Sequence, residues 1–544
     1  MLTPAVFYHP DGYSTDNSRV MGRRVAGRDF LRAHFEAAAA ADIPRLTCHA
    51  ATRELAASFA RDGRASGYRG KTRLVALDQV EHLGDDRILY VPDPSIGRHA
   101  AYRERVGRAA YSLSGVIHTL ASGPTLDLVA GLVTDPIAPW DALVCTSHAG
   151  RSVVTHLLEA TEAWLAERVG AQRFVRPELP VIPLGVHTDD YAGLRGDKAD
   201  ARKALGIPSN AHVVVFVGRL SLHAKAHPLP LYLALERAAQ TVGPIVLLEV
   251  GSFGDPSIAK AFGELRAPFP NVLGGIVGGE VAASEDQKLA CLAAADVFTS
   301  LADNIQETFG ISVIEAMAAG LPVVVSDWDG YKDTVRDGSD GIRVATSLPA
   351  LGAGVALVQS YDRGLIDYDR FVGYQSQHCA VDIDAAASAF AALLSNPERA
   401  RAMGESGIVR AADYRWAAVY ARYQALWCEL DARRSAALAT TPRPDPGHPL
   451  RASRPHPEAL YASFPSSATT LDTRWELAPQ GDPDLLALEG VSLPLAGVLS
   501  AEAAARHLAS LAAGPRSVRE LGGQPTTSGE LHALWKYGLV RPVA

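Results

Sequence analysis

Glu307 and Glu315 stand eight residues apart, with Thr308-Phe309-Gly310-Ile311-Ser312 between them opening a helical pattern that Gly320 closes. Each ionised carboxylate offers two oxygens to hydroxyl donors, so the pair suits sugar and ribose hydroxyls. A helix start between them offers unpaired N–H groups and the positive end of a dipole, which suits phosphate. Arg219 and Lys225 follow a second apolar run and its Gly218. Two cations at that place would neutralise a diphosphate without a metal, Arg219 through a planar fork and Lys225 as a point charge. His118 follows Leu113-Ser-Gly-Val-Ile. The local chemistry suits a nucleotide sugar: phosphate on the helix start and the cations, hydroxyls on the glutamates.

The elements that must hold these residues are short apolar runs alternating with helical patterns. The first series of runs is 5–8, 88–91, 115–117, 142–145 and 181–183; the second is 213–217, 245–250, 272–273, 297–300 and 323–326. Strands alternating with helices predict parallel sheets covered on both faces. Two such series, joined through a Gly- and Asp-rich stretch at 185–200, predict an α/β fold of two Rossmann-like domains facing each other. Ligands in such folds lie beyond the carboxyl ends of the strands. Gly218, Arg219, Glu307 and His118 all follow strands, so one cleft should receive them.

These motifs together resemble retaining glycosyltransferases with the GT-B fold, family 4 (glycosyl transferases group 1). Glu307 and Glu315 match its Glu-x7-Glu signature, Val213–Lys225 its strand–Gly-Arg–Lys motif, and Pro180–Thr188 its hinge. Trp140–Ser147 sits where the family ends an N-domain strand, and the resemblance covers roughly residues 1–435. It implies a hexosyl transfer from a nucleotide-diphosphate sugar to an acceptor hydroxyl in glycan or glycoconjugate assembly, with retention and without a metal. His118, Arg219, Lys225 and Glu307 would carry catalysis. Gly22, Gly218, Phe309, Gly310, Ile311, Ser312 and Glu315 would bind the donor. The loop holding Lys225 is one residue longer than the family's, Thr308 replaces its Gly or Ser, and Gly22 stands without the usual paired glycines.

Rival readings stay open: a nucleotide-sugar epimerase or a glycogen- or sucrose-synthase-like enzyme on the same fold, or a non-catalytic nucleotide-sugar-binding protein recruiting a partner. No cofactor is expected beyond the co-substrate. The acceptor would be a glycan, a lipid-linked group or a protein. Asp327-Trp-Asp329 and Asp367-Tyr-Asp369 have the Asp-x-Asp form of a metal site, but the family context there is a loop, so no metal is expected. Arg24, Arg28 and Arg32 form an i, i+4, i+8 stripe. It reads as a solvated face, or as a contact with an anionic acceptor or the inner face of a membrane.

The bulk composition sets outer limits. The 544 residues carry a net charge of −8, which argues against nucleic acid as a partner. Five scattered cysteines without a Cys-x-x-Cys pair read as reduced core thiols of a cytoplasmic protein. The start of the chain lacks the pattern of a signal peptide, and no apolar run reaches the ~18 residues of a membrane span. The expected divisions are an acceptor domain at 1–195, a donor domain at 196–383 and helices crossing back at 384–438. A Pro-rich linker at 439–483 and a small, mainly α module at 484–544 follow. Trp416, Tyr420, Tyr423 and Trp427 have the spacing of a packed helix face. In the module, Ser500 should cap a helix and two more should follow from Pro515 and Thr527, ending in a pattern like a winged helix. Over 481–544 there are five basic and six acidic residues, so a protein partner or a merely structural appendage fits better than DNA.

Overall fold

Apolar, largely β-branched runs such as His212–Val217 and Val323–Ser326 form strands because both faces of each are covered. A computed structural model describes residues 1–13, 22–441 and 455–543. The chain divides into two units, Met1–Leu450 and Arg451–Ala544.

The first unit holds two six-stranded parallel sheets, each in one half. The N-half sheet contains β1 (Ala5–Phe7), β2 (Arg45–Ala50), β3 (Lys71–Ala76), β4 (Ile88–Tyr90), β5 (Ser112–Val116) and β6 (Ala142–Val144). The C-half sheet contains β7 (His212–Val217), β8 (Ile245–Ser252), β9 (Val272–Gly279), β10 (Val297–Ser300), β11 (Val323–Ser326) and β12 (Gly341–Val344). The strand orders are β3-β2-β1-β4-β5-β6 and β12-β11-β10-β7-β8-β9. Both therefore reverse direction once, between β1 and β4 and between β7 and β10. Such a switch point opens a crevice for ligand at the carboxyl ends of its strands. This is the expected α/β architecture of two Rossmann-like domains, the GT-B arrangement.

Three strands of these two sheets lie outside the expected runs. β2 and β3 read Arg-Leu-Thr-Cys-His-Ala and Lys-Thr-Arg-Leu-Val-Ala, and their polar residues break the apolar pattern. In β2, Thr47 and His49 are buried with partners: Thr47 donates to Asp86 at 2.7 Å, and the His49 ring contacts the Val75 carbonyl at 3.0 Å. β12 is the third. The strand expected at 181–183 is instead a single bridge from Cys145 to Val181, because the flanking Pro180 and Pro183 have no N–H to donate to a ladder.

The long helix Trp416–Ala437 belongs to the N-half core. Trp416, Tyr420, Tyr423 and Trp427 are buried in one cluster with Phe30 and Tyr90. Of the five cysteines, Cys48, Cys145 and Cys291 are buried, while Cys428 is exposed, so not all are core thiols. Among the described residues no helix is long and apolar enough to cross a membrane.

β13 (Thr346–Ser347) and β14 (Ala380–Val381) pair antiparallel after β12 and bracket two short helices, Val355–Asp362 and Tyr368–Ser376.

The second unit has its own core around Trp475, Leu511, Val518, Leu531 and Val540. β15 (Arg474–Leu477) lies centrally between β16 (Arg516–Ser517) and β17 (Val540–Pro542), both antiparallel to it. β15 falls inside the stretch expected to be linker, and Trp475 explains why: it is fully buried. Ser500 caps the Ala501–Leu511 helix, accepting from the Ala503 N–H at 3.0 Å. The helix expected from Pro515 is only a turn, Arg519–Leu521, while Pro525–Lys536 is a full helix. The prolines at 442, 444, 446 and 449 lie outside the described residues.

Candidate functional site

The C-half switch point gathers the charged residues. β7 leads into Gly218 and Arg219, and β10 leads through Asp303 and Asn304 to Glu307, so the two strands flanking the crevice deliver both groups. Asn304, which is buried, is the bracket between them. Its side-chain amide donates to the His223 carbonyl, its Oδ1 accepts the Gln306 N–H at 2.8 Å, and its own carbonyl accepts the Trp328 indole N–H at 3.0 Å. Asp303 adds an acceptor for the His227 N–H at 3.3 Å. The loop carrying Lys225 is therefore tied to the loop carrying Glu307, and Lys225 Nζ donates to Glu307 Oε2 at 2.6 Å.

Glu307 Oε1 also accepts from the N–H groups of Thr308 and Phe309, at 3.3 and 3.4 Å. Burial pushes the Glu307 carboxyl up, but Lys225 and the two amides outweigh it and hold it below the ordinary value. The Phe309 N–H, expected to serve a phosphate, thus faces Glu307. The Phe309 ring is buried, against Tyr414.

Gly310 begins the Ile311–Ala318 helix in the left-handed region, with φ of +92°. A Cβ there would lie 2.0 Å from the Tyr331 ring, so only glycine fits. A Cβ on Gly330 would lie 2.5 Å from the Phe309 Cα, which presses the loop after β11 onto the Glu307 loop. The N–H groups of Ile311 and Ser312 open the helix, where amides lack intrahelical acceptors.

Glu315 lies in the same helix. Its Oε1 accepts from the Tyr191 hydroxyl at 2.7 Å and from Lys288 Nζ at 3.2 Å. Burial and then Glu315 raise the Tyr191 hydroxyl well above its ordinary value. Burial acts to lower Lys288, but Glu315 and Glu285 reverse it and keep the ammonium charged. Neither partner was legible in the sequence as part of the site. Tyr191 lies three residues beyond the Pro180–Thr188 hinge motif, which was the one signal that could have pointed to it.

Arg219 is exposed, and its Nη2 donates to Gln306 Oε1 at 2.9 Å. His118, after β5, meets the Pro92 carbonyl through Nε2 at 2.7 Å, and burial holds its imidazole below the ordinary value. It lines a small cavity with Pro92, Tyr90, Phe30 and Trp416. Gly22 opens the Gly22–Ala40 helix, but a Cβ there would meet nothing within 4 Å. Five residues on, a Cβ at Gly27 would lie 2.0 Å from the Gly12 carbonyl, so the same helix packs closely there.

The arginine stripe is not an open row of cations. Arg24 is buried and bonds Asp11 at 2.6 Å, Arg28 reaches Asp29 at 3.3 Å, and Arg32 bonds Glu36 at 2.8 Å and Asp190 at 2.9 Å. The N-half switch point carries a different pair, His9 and Asp93, 3.7 Å apart, which the sequence did not single out.

Three consecutive N-half residues meet the C-half beside Glu307. Thr146 donates to the Thr308 carbonyl at 3.4 Å, Ser147 to Asp329 at 3.2 Å, and the His148 N–H to Asp333 at 2.6 Å. Asp329 has a positive φ of 44°. Asp327 lies 3.3 Å from Arg343. Among the described residues no group of three or more His, Cys, Asp or Glu side chains could hold a metal ion.

Residues 211–358 match the family described as Glycosyl transferases group 1. The chain is 31% identical over 274 residues to a D-inositol 3-phosphate glycosyltransferase of Acidothermus cellulolyticus, covering 48% of this chain and 58% of that protein. It is 27% identical over 280 residues to a phosphatidyl-myo-inositol mannosyltransferase of Mycobacterium leprae, covering 51% and 65%. It thus spans less than two thirds of either relative. A solved structure of Anabaena HepE with UDP and glucose aligns with a TM-score of 0.49 at 14% identity, over 80% of this chain and 100% of that one.

Proposed function

We propose that this chain is a retaining glycosyltransferase of family 4 that moves a sugar from a nucleotide-diphosphate sugar to a hydroxyl of an inositol-containing acceptor. The observation that carries the donor reading is the C-half switch point, where Arg219, the Lys225–Glu307 pair and the Ile311–Ala318 helix start converge. The family match over 211–358 covers those residues. The acceptor class rests on the names of the two bacterial relatives.

In this reading the diphosphate lies against Arg219, Lys225 and the amides of Ile311 and Ser312. Glu307, ionised beside Lys225, takes the hydroxyls of the transferred sugar. Glu315, oriented by Tyr191 and Lys288, takes the ribose. The bond from the anomeric carbon to the β-phosphate oxygen breaks as the acceptor oxygen bonds that carbon on the same face. The acceptor proton passes to the departing phosphate oxygen. Protein charge stabilises the leaving group and alignment does the rest, so no metal is needed.

Arg219→Ala tests the assignment. Turnover at saturating donor should fall by about 2–4 kcal/mol in barrier, the worth of one preorganised charge partner. Unchanged turnover would overturn it. The anomeric coupling constant of the product reports retention.

A further inference from the structure

Between β13 and β14 the chain leaves the C-half sheet as a helical hairpin, residues 348–379, that touches both halves. Phe371 and Val372, with Tyr361, Ile366 and Tyr368, pack against Ile305, two residues before Glu307, and against Ala121 of the N-half. The Tyr361 and Phe371 rings stack 4.7 Å apart. A Cβ on Gly373 would lie 2.9 Å from the His223 Cβ, so the hairpin also rests on the Lys225 loop. Tyr361 accepts the Gly123 N–H at 3.1 Å.

Through this hairpin runs one polar chain. Thr119 Oγ1 lies 3.5 Å from the Tyr368 hydroxyl, Gln306 Nε2 donates to that hydroxyl at 2.8 Å, and Gln306 Oε1 accepts from Arg219 at 2.9 Å. We propose that Tyr368 is a positioning residue for the donor: its hydroxyl orients the Gln306 amide so that the carbonyl end faces and holds the Arg219 guanidinium. The inference rests on the donor reading of Arg219 given above.

The physical reason is entropy and direction. A free arginine side chain loses several rotamers when it binds an anion. An amide has two ends of opposite polarity, and only the oxygen can accept from a guanidinium. Tyr368 takes the amide's N–H, which leaves the oxygen for Arg219. The hydroxyl is supplied by an element that also contacts Thr119 beside His118, so the cation's orientation depends on the two halves being together.

Calorimetric titration of the full chain with ADP, GDP and UDP tests this. Tyr368→Phe keeps the ring and its packing and removes the hydroxyl. For whichever diphosphate binds, its Kd should rise roughly 3- to 10-fold, the worth of one or two hydrogen bonds. Gln306→Leu should do the same, and the double variant should be no worse than either single one. Melting temperatures near the parent's would show that packing is intact. Additive losses, or a parental Kd in Tyr368→Phe, would overturn the inference while Arg219→Ala still weakened binding. If the parent bound none of the three, or Arg219→Ala bound like the parent, the donor reading itself would fall.

Discussion

Two ion pairs of equal length sit in opposite settings in the two halves. Arg103 and Asp141 of the N-half meet at 2.6 Å with both side chains fully enclosed. Asp141 also accepts from the N–H groups of Leu113 and Ala138, at 2.9 and 2.8 Å. Lys225 and Glu307 of the C-half also meet at 2.6 Å, but the lysine is 32% exposed. A carboxylate whose acceptors are filled by protein, sealed from water, has nothing left for a ligand and works as a joint between loops. A pair with one open member keeps charge at the surface of a cleft. Burial and completeness, more than residue type, separate the sealed pair from the open one.

The comparison breaks first at the sealed pair. Asp141→Ala leaves a guanidinium buried without its counter-charge and should cost about 3–5 kcal/mol. Urea unfolding reads this directly, and a loss under about 1 kcal/mol would show that the N-half relaxes around the charge.

Asp329 tests a buried carboxyl without a cation. Burial, then the neighbouring Glu307, push it up to about 7, while the Ser147 hydroxyl acts the other way. Between about pH 4 and 7 the native state therefore holds a proton that the unfolded chain has lost. Stability from this group is full below that window and falls as pH rises through it. Asp329→Asn should remove the loss, worth on the order of 2–4 kcal/mol at pH 8. Asp303, also pushed up to about 7 by burial, should leave a residual slope. Denaturation midpoints of parent and variant that stay parallel from pH 4 to 8 would refute this.

Lys225→Ala probes the open pair. Glu307 is held below its ordinary value, so its favourable contribution is present above the unfolded carboxyl range and is lost as pH falls. Without Lys225 the burial effect is unopposed, and we expect a loss of about 1–2 kcal/mol at pH 7 that shrinks below about pH 4. A loss equal at both pH values would mean that lysine packing, not charge, is what matters.

The smallest effect belongs to an open surface pair. Arg32 and Asp190, 43% and 48% exposed, should contribute under about 1 kcal/mol by a double-mutant cycle. A larger coupling would show that exposure is a poor guide in this chain.

The placement of the C-half candidate residues was largely legible because they follow long apolar strands and a local helix-start pattern. Gly218, Arg219, Glu307 and Glu315 stand in register with β7, β10 and one helix, and local order alone delivers them to one end of a sheet. The N-half was read less well. β2 and β3 carry Arg45, His49, Lys71 and Arg73, and nothing local tells that Thr47 and His49 are buried with partners. Nor does anything local tell that Gly27 packs against the Gly12 carbonyl, because a glycine's neighbour comes from another segment.

By itself the sequence determined the strand–helix alternation, the helix start at Gly310 and the spacing of the two glutamates, all set by residues a few positions apart. Tertiary structure alone decided which charges are spoken for. Arg103 finds Asp141 across 38 positions, Lys225 finds Glu307 across 82, and Thr119 lies against Tyr368 across 249. A side chain's chemistry depends on what desolvates it and what bonds it, and those partners meet only when the chain is folded.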